Sequence, residues 1–311
     1  MARSPDLLVL GDGVVALSCA LEAARAGASV RVLGEGRPGA SAAAAGMLCP
    51  SFEALHEGGR ALMAMGRESL ALWDGFAASL AEDPARDLGY DRSGVLGSGF
   101  PPGLLPGRSA DVPPGIEASG GVLVPGEGQV EAGRLLAALR AACEAAGVAF
   151  EAGRGSVGGE GQVRRGDGER LPAARVLLAS GIGAGHPALF PVRGRAFLVR
   201  APGLRLPRVV RTPTVYLCPK PGELVYVGAT EEERESPAAP DGLWHEACWL
   251  APTLKGTEVV AWFDGIRPAT RDGLPIVGKD PERPGVLLAL GHYRNGILLA
   301  PYTARRIAGL L

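Results

Sequence analysis

Aromatic residues make up only 5% of this 311-residue chain, and neither sign of charge is in surplus. Thirty-two Lys and Arg stand against 33 Asp and Glu, a formal net charge of −1. That balance offers no electrostatic case for nucleic acid or an anionic membrane. No apolar run approaches the roughly 20 residues that span a bilayer. The N-terminus lacks a basic region before its first apolar stretch, and Gly11, Asp12 and Gly13 interrupt that stretch. No signal peptide is expected, and the cytoplasm is the expected location. The five cysteines (19, 49, 143, 218 and 248) are odd in number and share no paired spacing. They read as reduced thiols, most of them small apolar residues. Also missing are a His/Cys metal cluster, a Gly-x-Ser-x-Gly elbow and a recognisable pair of catalytic carboxylates. Zinc, serine-nucleophile and two-carboxylate chemistry have no carrier here.

What is plentiful is glycine (47) and proline (26), the composition of a loop-rich chain of small residues. The stretches 101–121 and 153–168 read as surface loops, and there is no tandem repeat. The length allows one large domain or two intimate ones. Residues 6–10 are a short apolar run fit for a buried parallel strand. Residues 14–26 are strong helix formers stopped by Gly27, and 29–33 form a second strand, completing a strand–helix–strand unit. Amphipathic helices are predicted over 59–82 and 131–147, buried strands over 175–179 and 286–290, and a closing helix over 296–310. Between 194 and 230, short β-branched runs separated by Pro and Gly predict an antiparallel sheet.

Gly11-x-Gly13-x-x-Ala16 sits between the first strand and the first helix. Two glycines let the backbone turn tightly and approach a pyrophosphate, and the helix N-terminus faces the anion. The fold at this end is therefore expected to be Rossmann-like. The motif does not separate FAD from NAD. The usual next element is an acid at the end of strand two that bonds the ribose. That place holds Gly34, and Glu35 comes one residue late; it is expected to reach the ribose, the alternative being a solvated turn residue. The run 39–48 (Gly-Ala-Ser-Ala-Ala-Ala-Ala-Gly-Met-Leu) is built of small residues, suiting either close approach of a bulky ligand or a tightly packed helix.

Near the C-terminus, Gly265-Ile-Arg267-Pro-Ala-Thr-Arg-Asp-Gly-Leu-Pro275 is followed by Gly291-His-Tyr-Arg-Asn-Gly-Ile-Leu-Leu-Ala-Pro301. Together with the Ala-Ala-Gly-Met-Leu ending at 48 and the run from Tyr216 to Thr230, these segments resemble the thiamine-pathway glycine oxidases of the D-amino-acid oxidase superfamily. The resemblance covers most of the chain and is poor over 52–120. It implies an α/β fold: a three-layer, mostly parallel FAD-binding domain (1–52, 131–193, 268–311) interleaved with an antiparallel-sheet substrate domain (53–130, 194–267). It implies FAD contacts at Gly11, Gly13, Val14, Val15, Ala16, Glu35, Ala40, Ser41, Ala45, Gly46, Met47 and Gly181. The turn of His292, Tyr293, Arg294, Asn295, Gly296, Ile297 and Leu298 would aim backbone N–H groups at the flavin. His292 is not expected to act as a base, and its side chain has a packing role as the alternative.

For the substrate, the resemblance implies that Arg267 holds an α-carboxylate, helped by Tyr216, with Arg294 facing the same cavity. The planar fork of an arginine matches a carboxylate bidentately. The alternatives are an ion pair of Arg267 with Asp264 or Asp272, and an ordinary strand tyrosine at 216. Thr214 and Glu231 depart from the family pattern, where histidine and methionine are usual. Glu231 is expected to point outward, because Glu231-Glu232-Glu233 looks like a charged turn. The implied reaction is FAD-dependent oxidation of glycine or a small amine or D-amino acid to the imine, with O2 reduced to H2O2, by a homo-oligomer. A dehydrogenase using another acceptor and a non-catalytic FAD-binding subunit are the other readings.

Overall fold

A computed structural model describes residues 4–37, 39–234 and 239–311. Its six-stranded sheet runs in the order Ile276–Lys279, Val286–Leu290, Arg175–Leu178, Leu7–Leu10, Val30–Gly34, Ala149–Ala152. All pairs are parallel except the first, which is a hairpin. The strands are nearly continuous apolar runs because both faces are covered. Leu7 and Val9 point into a core with the helices Val14–Arg25, Ala132–Ala145 and Ala300–Ala308. Leu8, Leu10 and Leu33 point the other way, onto Val163 and Leu171. Those two belong to a three-stranded antiparallel sheet (Gly155–Val157, Val163–Arg165, Arg170–Leu171), so the expected loop at 153–168 is in fact the third layer. Short strands separated by glycine turns carry too few residues to show a period in sequence.

The second sheet has eight strands: Glu258–Ala269, Phe190–Arg200, Leu224–Gly228, Tyr216–Lys220, Val209–Arg211, Val95–Gly97, Gly121–Val124, Arg108–Ala110. It is antiparallel throughout except where Val209–Arg211 meets Val95–Gly97. The expected loop at 101–121 thus contributes the edge strand Arg108–Ala110 and ends where the next strand in, Gly121–Val124, begins. Strands Phe190–Arg200 and Glu258–Ala269 pair from Phe190↔Ala269 to Arg200↔Glu258, and this long ribbon carries Arg267 out of the second sheet towards the first.

Two boundaries differ from expectation. Helix Gly59–Ala78 buries Leu62, Leu70, Trp73 and Phe76 in the same core as the first helix, so that core does not divide at residue 53. The closing helix begins at Ala300, four residues late, and 296–299 is a turn. Pro301 explains this: its ring would strike the carbonyl of Ile297 in a continuing helix and is tolerated only in the first turn. Among the described residues, no helix is long and apolar enough to cross a membrane, and no cluster of His, Cys, Asp and Glu could hold a metal.

Candidate active site

The expected phosphate loop forms as the motif requires. Gly11 has φ +119°, and a Cβ there would stand 2.5 Å from the Ala179 carbonyl, at the end of the neighbouring strand. Helix Val14–Arg25 follows at once, and the Ser41 hydroxyl accepts a hydrogen bond from Val14 N at 3.1 Å. Gly296 lies against Val14 and Val15. The loop, the small-residue run and the 292–298 turn are therefore neighbours, although 285 residues separate Gly11 from Gly296. Two buried polar atoms here have no partner: Ser180 Oγ, beside Gly11, and Asn295 Oδ1, beside Gly296. Gly181 (φ +57°) opens a short 3-10 turn after Ser180.

The run 39–48 is a series of turns, not a helix, ending in the short strand Met47–Leu48. It is held from the second sheet. Tyr226 donates its hydroxyl to Ala43 O at 2.5 Å, and Lys220 donates to Ala45 O at 2.6 Å. Its smallness is used twice over. A Cβ on Gly265 would sit 3.1 Å from Ala43 Cβ, and a Cβ on Gly46 would overlap the Val130 carbonyl. The run is thereby pressed between the long ribbon and the strand–helix junction at 130. Neither Tyr226 nor Lys220 was legible as part of this arrangement.

Arg267 and Tyr216 share a construction. Each side chain lies over a glycine of the paired strand: the guanidinium over Gly194, the phenol ring over Gly228, and a Cβ on either glycine would collide with it. Arg267 donates to the backbone carbonyl of Thr230 at 3.0 Å. Its expected alternative partners are engaged elsewhere, Asp264 with Arg193 and Asp272 with Leu274 N. Among the described residues, Arg267 pairs with no carboxylate. Tyr216 is buried and stacks on Tyr226, which stacks on Phe263. Burial pushes its phenol up to about 12, against the pull of the positive charges of Arg267, Arg294 and Arg211. Of the three, Arg211 and Arg294 are paired with carboxylates, and only Arg267 has none among the described residues.

Arg294 is differently placed. Its Nε donates to Glu53 at 3.1 Å and its Nη1 meets Glu231 at 2.8 Å. Glu53 is buried and also pairs with the buried Arg211. Burial raises a carboxyl, but Arg294 and Arg211 outweigh it and hold Glu53 at about 2. Glu231 stays at the surface as expected, its side chain 38% exposed, but it is paired there: it accepts from the Tyr293 hydroxyl as well as from Arg294. The triplet 231–233 is solvated only in part, since Glu232 between the two exposed acids is buried against Arg195 and Thr230. Pairing partners decide these orientations, and three acids in a row do not reveal them. Glu53, His56 and Arg211 were missed altogether; Arg211 lies 3.4 Å from His56. An isolated acid in the apolar stretch Pro50-Ser-Phe-Glu53 was the one available signal.

Of the other expected residues, His292 is buried with its Nε2 at 2.9 Å from Thr303 Oγ1, and burial lowers it to about 4. Its side chain thus packs against the closing helix. Tyr293 adopts φ +49°, with its N–H on Pro268 O. Ile297 and Leu298 enter the helix-side core, and the Leu298 carbonyl accepts from both Ser69 and Trp73. Glu35 is occupied: its carboxylate accepts from Arg154 at 2.7 Å.

A glycine loop against a helix N-terminus, a run of alanines pinned in turns and an arginine that has no acid partner among the described residues fit a dinucleotide-dependent oxidoreductase of two interleaved parts. The chain matches the family model described as FAD dependent oxidoreductase (DAO) over residues 6–310 and belongs to that family; its cofactor is FAD. It is 32% identical to glycine oxidase of Geobacillus kaustophilus (strain HTA426), over 100% of this chain and 94% of that protein. It is also 32% identical to the bifunctional protein ThiO/ThiG of Nostoc sp. (strain PCC 7120), covering 98% of this chain and 52% of that protein. The crystal structure of glycine oxidase from Geobacillus kaustophilus superposes with a TM-score of 0.88 at 29% identity, over 99% of this chain and 95% of that one.

FAD fits the residues present. Gly11 and Gly13 leave the loop bare, the 39–46 run offers backbone at the same end, and the unpartnered Ser180 Oγ and Asn295 Oδ1 border it.

Proposed function

We propose that this chain oxidises glycine, or a small amine or D-amino acid, to the imine, which water converts to the 2-oxo acid, and that O2 is reduced to H2O2. The imine product would serve synthesis of the thiamine thiazole. The observation that carries the reading is Arg267, a half-buried guanidinium with no acid partner among the described residues, set beside Tyr216. A buried charge without a counter-charge is costly unless a ligand supplies one. Arg267 would grip the substrate carboxylate through its fork, and the Tyr216 hydroxyl would add a third bond. Bound FAD supplies the two-electron acceptor, and the protein positions the substrate and excludes water.

On this reading the cofactor is held by Gly11, Gly13, residues 14–16, Ala40, Ser41, residues 45–47, Gly181 and the backbone of 292–298. These lie in the segments 1–52, 131–193 and 268–311, while 194–267 serves the substrate. Arg294 belongs to the wall of the substrate cavity, its charge offset by Glu53 and Glu231. The outer edge strand exposes Val260 (40%), Trp262 (64%) and Ile266 (38%) in one alternating row, which suits contact between copies in a homo-oligomer. Five unpaired cysteines suit a reducing cytoplasm.

The test is a panel of amino acids and amines given to the purified flavoprotein, with H2O2 read by a coupled peroxidase. Glycine and small D-amino acids should give stoichiometric peroxide. Turnover with an artificial acceptor but no peroxide would replace the oxidase with a dehydrogenase, and no turnover with either would remove the catalytic reading.

A further inference from the structure

The acid that should meet the FAD ribose is absent from the end of the second strand, where Gly34 stands. The structure shows what occupies that space instead. A Cβ on Gly34 would lie 2.5 Å from Cβ, Cγ and Oδ2 of Asp12. The Asp12 side chain, from the middle of Gly11-Asp12-Gly13, has folded back over the strand end and fills the volume of the missing side chain. Its Oδ2 accepts from Gly36 N at 2.7 Å, which fixes its direction. Among the described residues Oδ1 accepts no bond from the protein.

Gly34 is not a backbone requirement. It sits in a regular strand, paired with Ala152, and its φ is not positive. The three atoms nearest to a side chain there all belong to Asp12. Glu35, the nearest acid in sequence, is tied to Arg154. We propose that Asp12 is the ribose-binding acid of this chain: the carboxylate has moved from the end of the second strand into the phosphate loop, and Gly34 makes room for it. Its free oxygen accepts from the adenosine ribose hydroxyls, while Gly36 N holds the other. A charged acceptor serves this purpose because hydrogen bonds to an ionised group are about twice as strong as neutral ones.

The experiment measures FAD affinity directly, by titrating the apoprotein with FAD and following flavin fluorescence, so that turnover plays no part. Asp12→Asn keeps the size and the Gly36 contact and removes the charge. It should weaken FAD binding by about 10-fold or more and abolish discrimination against an FAD analogue lacking the adenosine ribose hydroxyls. Glu35→Gln should stay within about twofold. The relocation variant, Asp12→Gly with Gly34→Glu, should recover both affinity and discrimination. The proposal is overturned if Asp12→Asn still discriminates against the analogue, or if Glu35→Gln carries the loss. Thermal unfolding of each apoprotein separates a folding defect from a binding one, and a destabilised Asp12→Asn leaves the relocation variant to decide.

Discussion

Arg267 and Arg294 face the same buried tyrosine, yet they live in opposite electrostatic conditions. Arg294 is gripped by two acids from distant segments, Glu53 and Glu231. Arg267 meets backbone carbonyls and, among the described residues, no acid. The two sit on different supports as well. Arg267 lies flat on a glycine of a long ribbon, whereas Arg294 projects from a turn pinned beneath helix Gly59–Ala78. The difference separates a charge matched within the fold from one left for a ligand to match. On the proposed function, the matched arginine holds the wall of the cavity and the unmatched one grips the substrate.

Breaking the matched side should produce the largest effect. Glu53→Gln leaves Arg211 and Arg294 buried without their common counter-charge, a loss of about 3–5 kcal/mol by analogy with other broken buried pairs. Denaturant unfolding at neutral pH would measure it. The sign with pH follows from the shift: Glu53 falls from its ordinary 4.5 to about 2 in the folded protein. Its contribution is fully present above 4.5 and is lost as pH falls towards 2. The variant should therefore lose less stability than the wild type across that window. Equal stability of the two proteins at pH 7 would show that the cluster is not what holds this wall together.

The unmatched side should break without unfolding. Arg267→Lys replaces a planar fork by a point charge. KM for the amino acid should rise by about 10- to 100-fold, the worth of one lost charge-assisted bond. The flavin absorption spectrum and the unfolding midpoint should not move. Unchanged KM would demote Arg267 to a scaffold residue like Arg294. A smaller effect is expected from Tyr216→Phe, which keeps the stack on Tyr226 and loses one neutral hydroxyl. KM should rise about fivefold, roughly the worth of one net hydrogen bond. No change would mean that the hydroxyl touches no substrate.

The same contrast explains what could be read from sequence. The strand–glycine loop–helix unit was legible because its pieces are contiguous and each glycine has a steric reason. Arg267 and Tyr216 were legible through motifs in one ribbon and one strand. Glu53 was not, because its partners Arg211 and Arg294 lie 158 and 241 residues away. The pairing of Glu231 was missed for a related reason: a triplet of acids looks unpartnered until the fold supplies Arg294, Arg195 and Arg271 as separate partners. The third layer at 155–171 escaped because two- and three-residue strands have no period to detect.

The finest test of the comparison concerns the charge that Glu231 adds beside the substrate. Burial would raise its carboxyl, but Arg294 and the Tyr293 hydroxyl outweigh burial and hold it below the ordinary value. It is therefore ionised wherever the enzyme works. Oxidation of an amine needs its neutral form, so activity should rise with pH as the bound ammonium loses its proton. Glu231→Met removes a negative charge and leaves Arg294 sharing Glu53 with Arg211. The surroundings of the amine become more positive, its proton is lost more readily, and the rise should move to lower pH by up to about one unit. Glu231→Gln keeps the size and a contact with Tyr293 but not the charge, and should move the profile equally. A shift with methionine alone would assign the effect to packing. A profile that moves with neither would mean that Arg294 and Glu231 neutralise each other too completely for the substrate to sense.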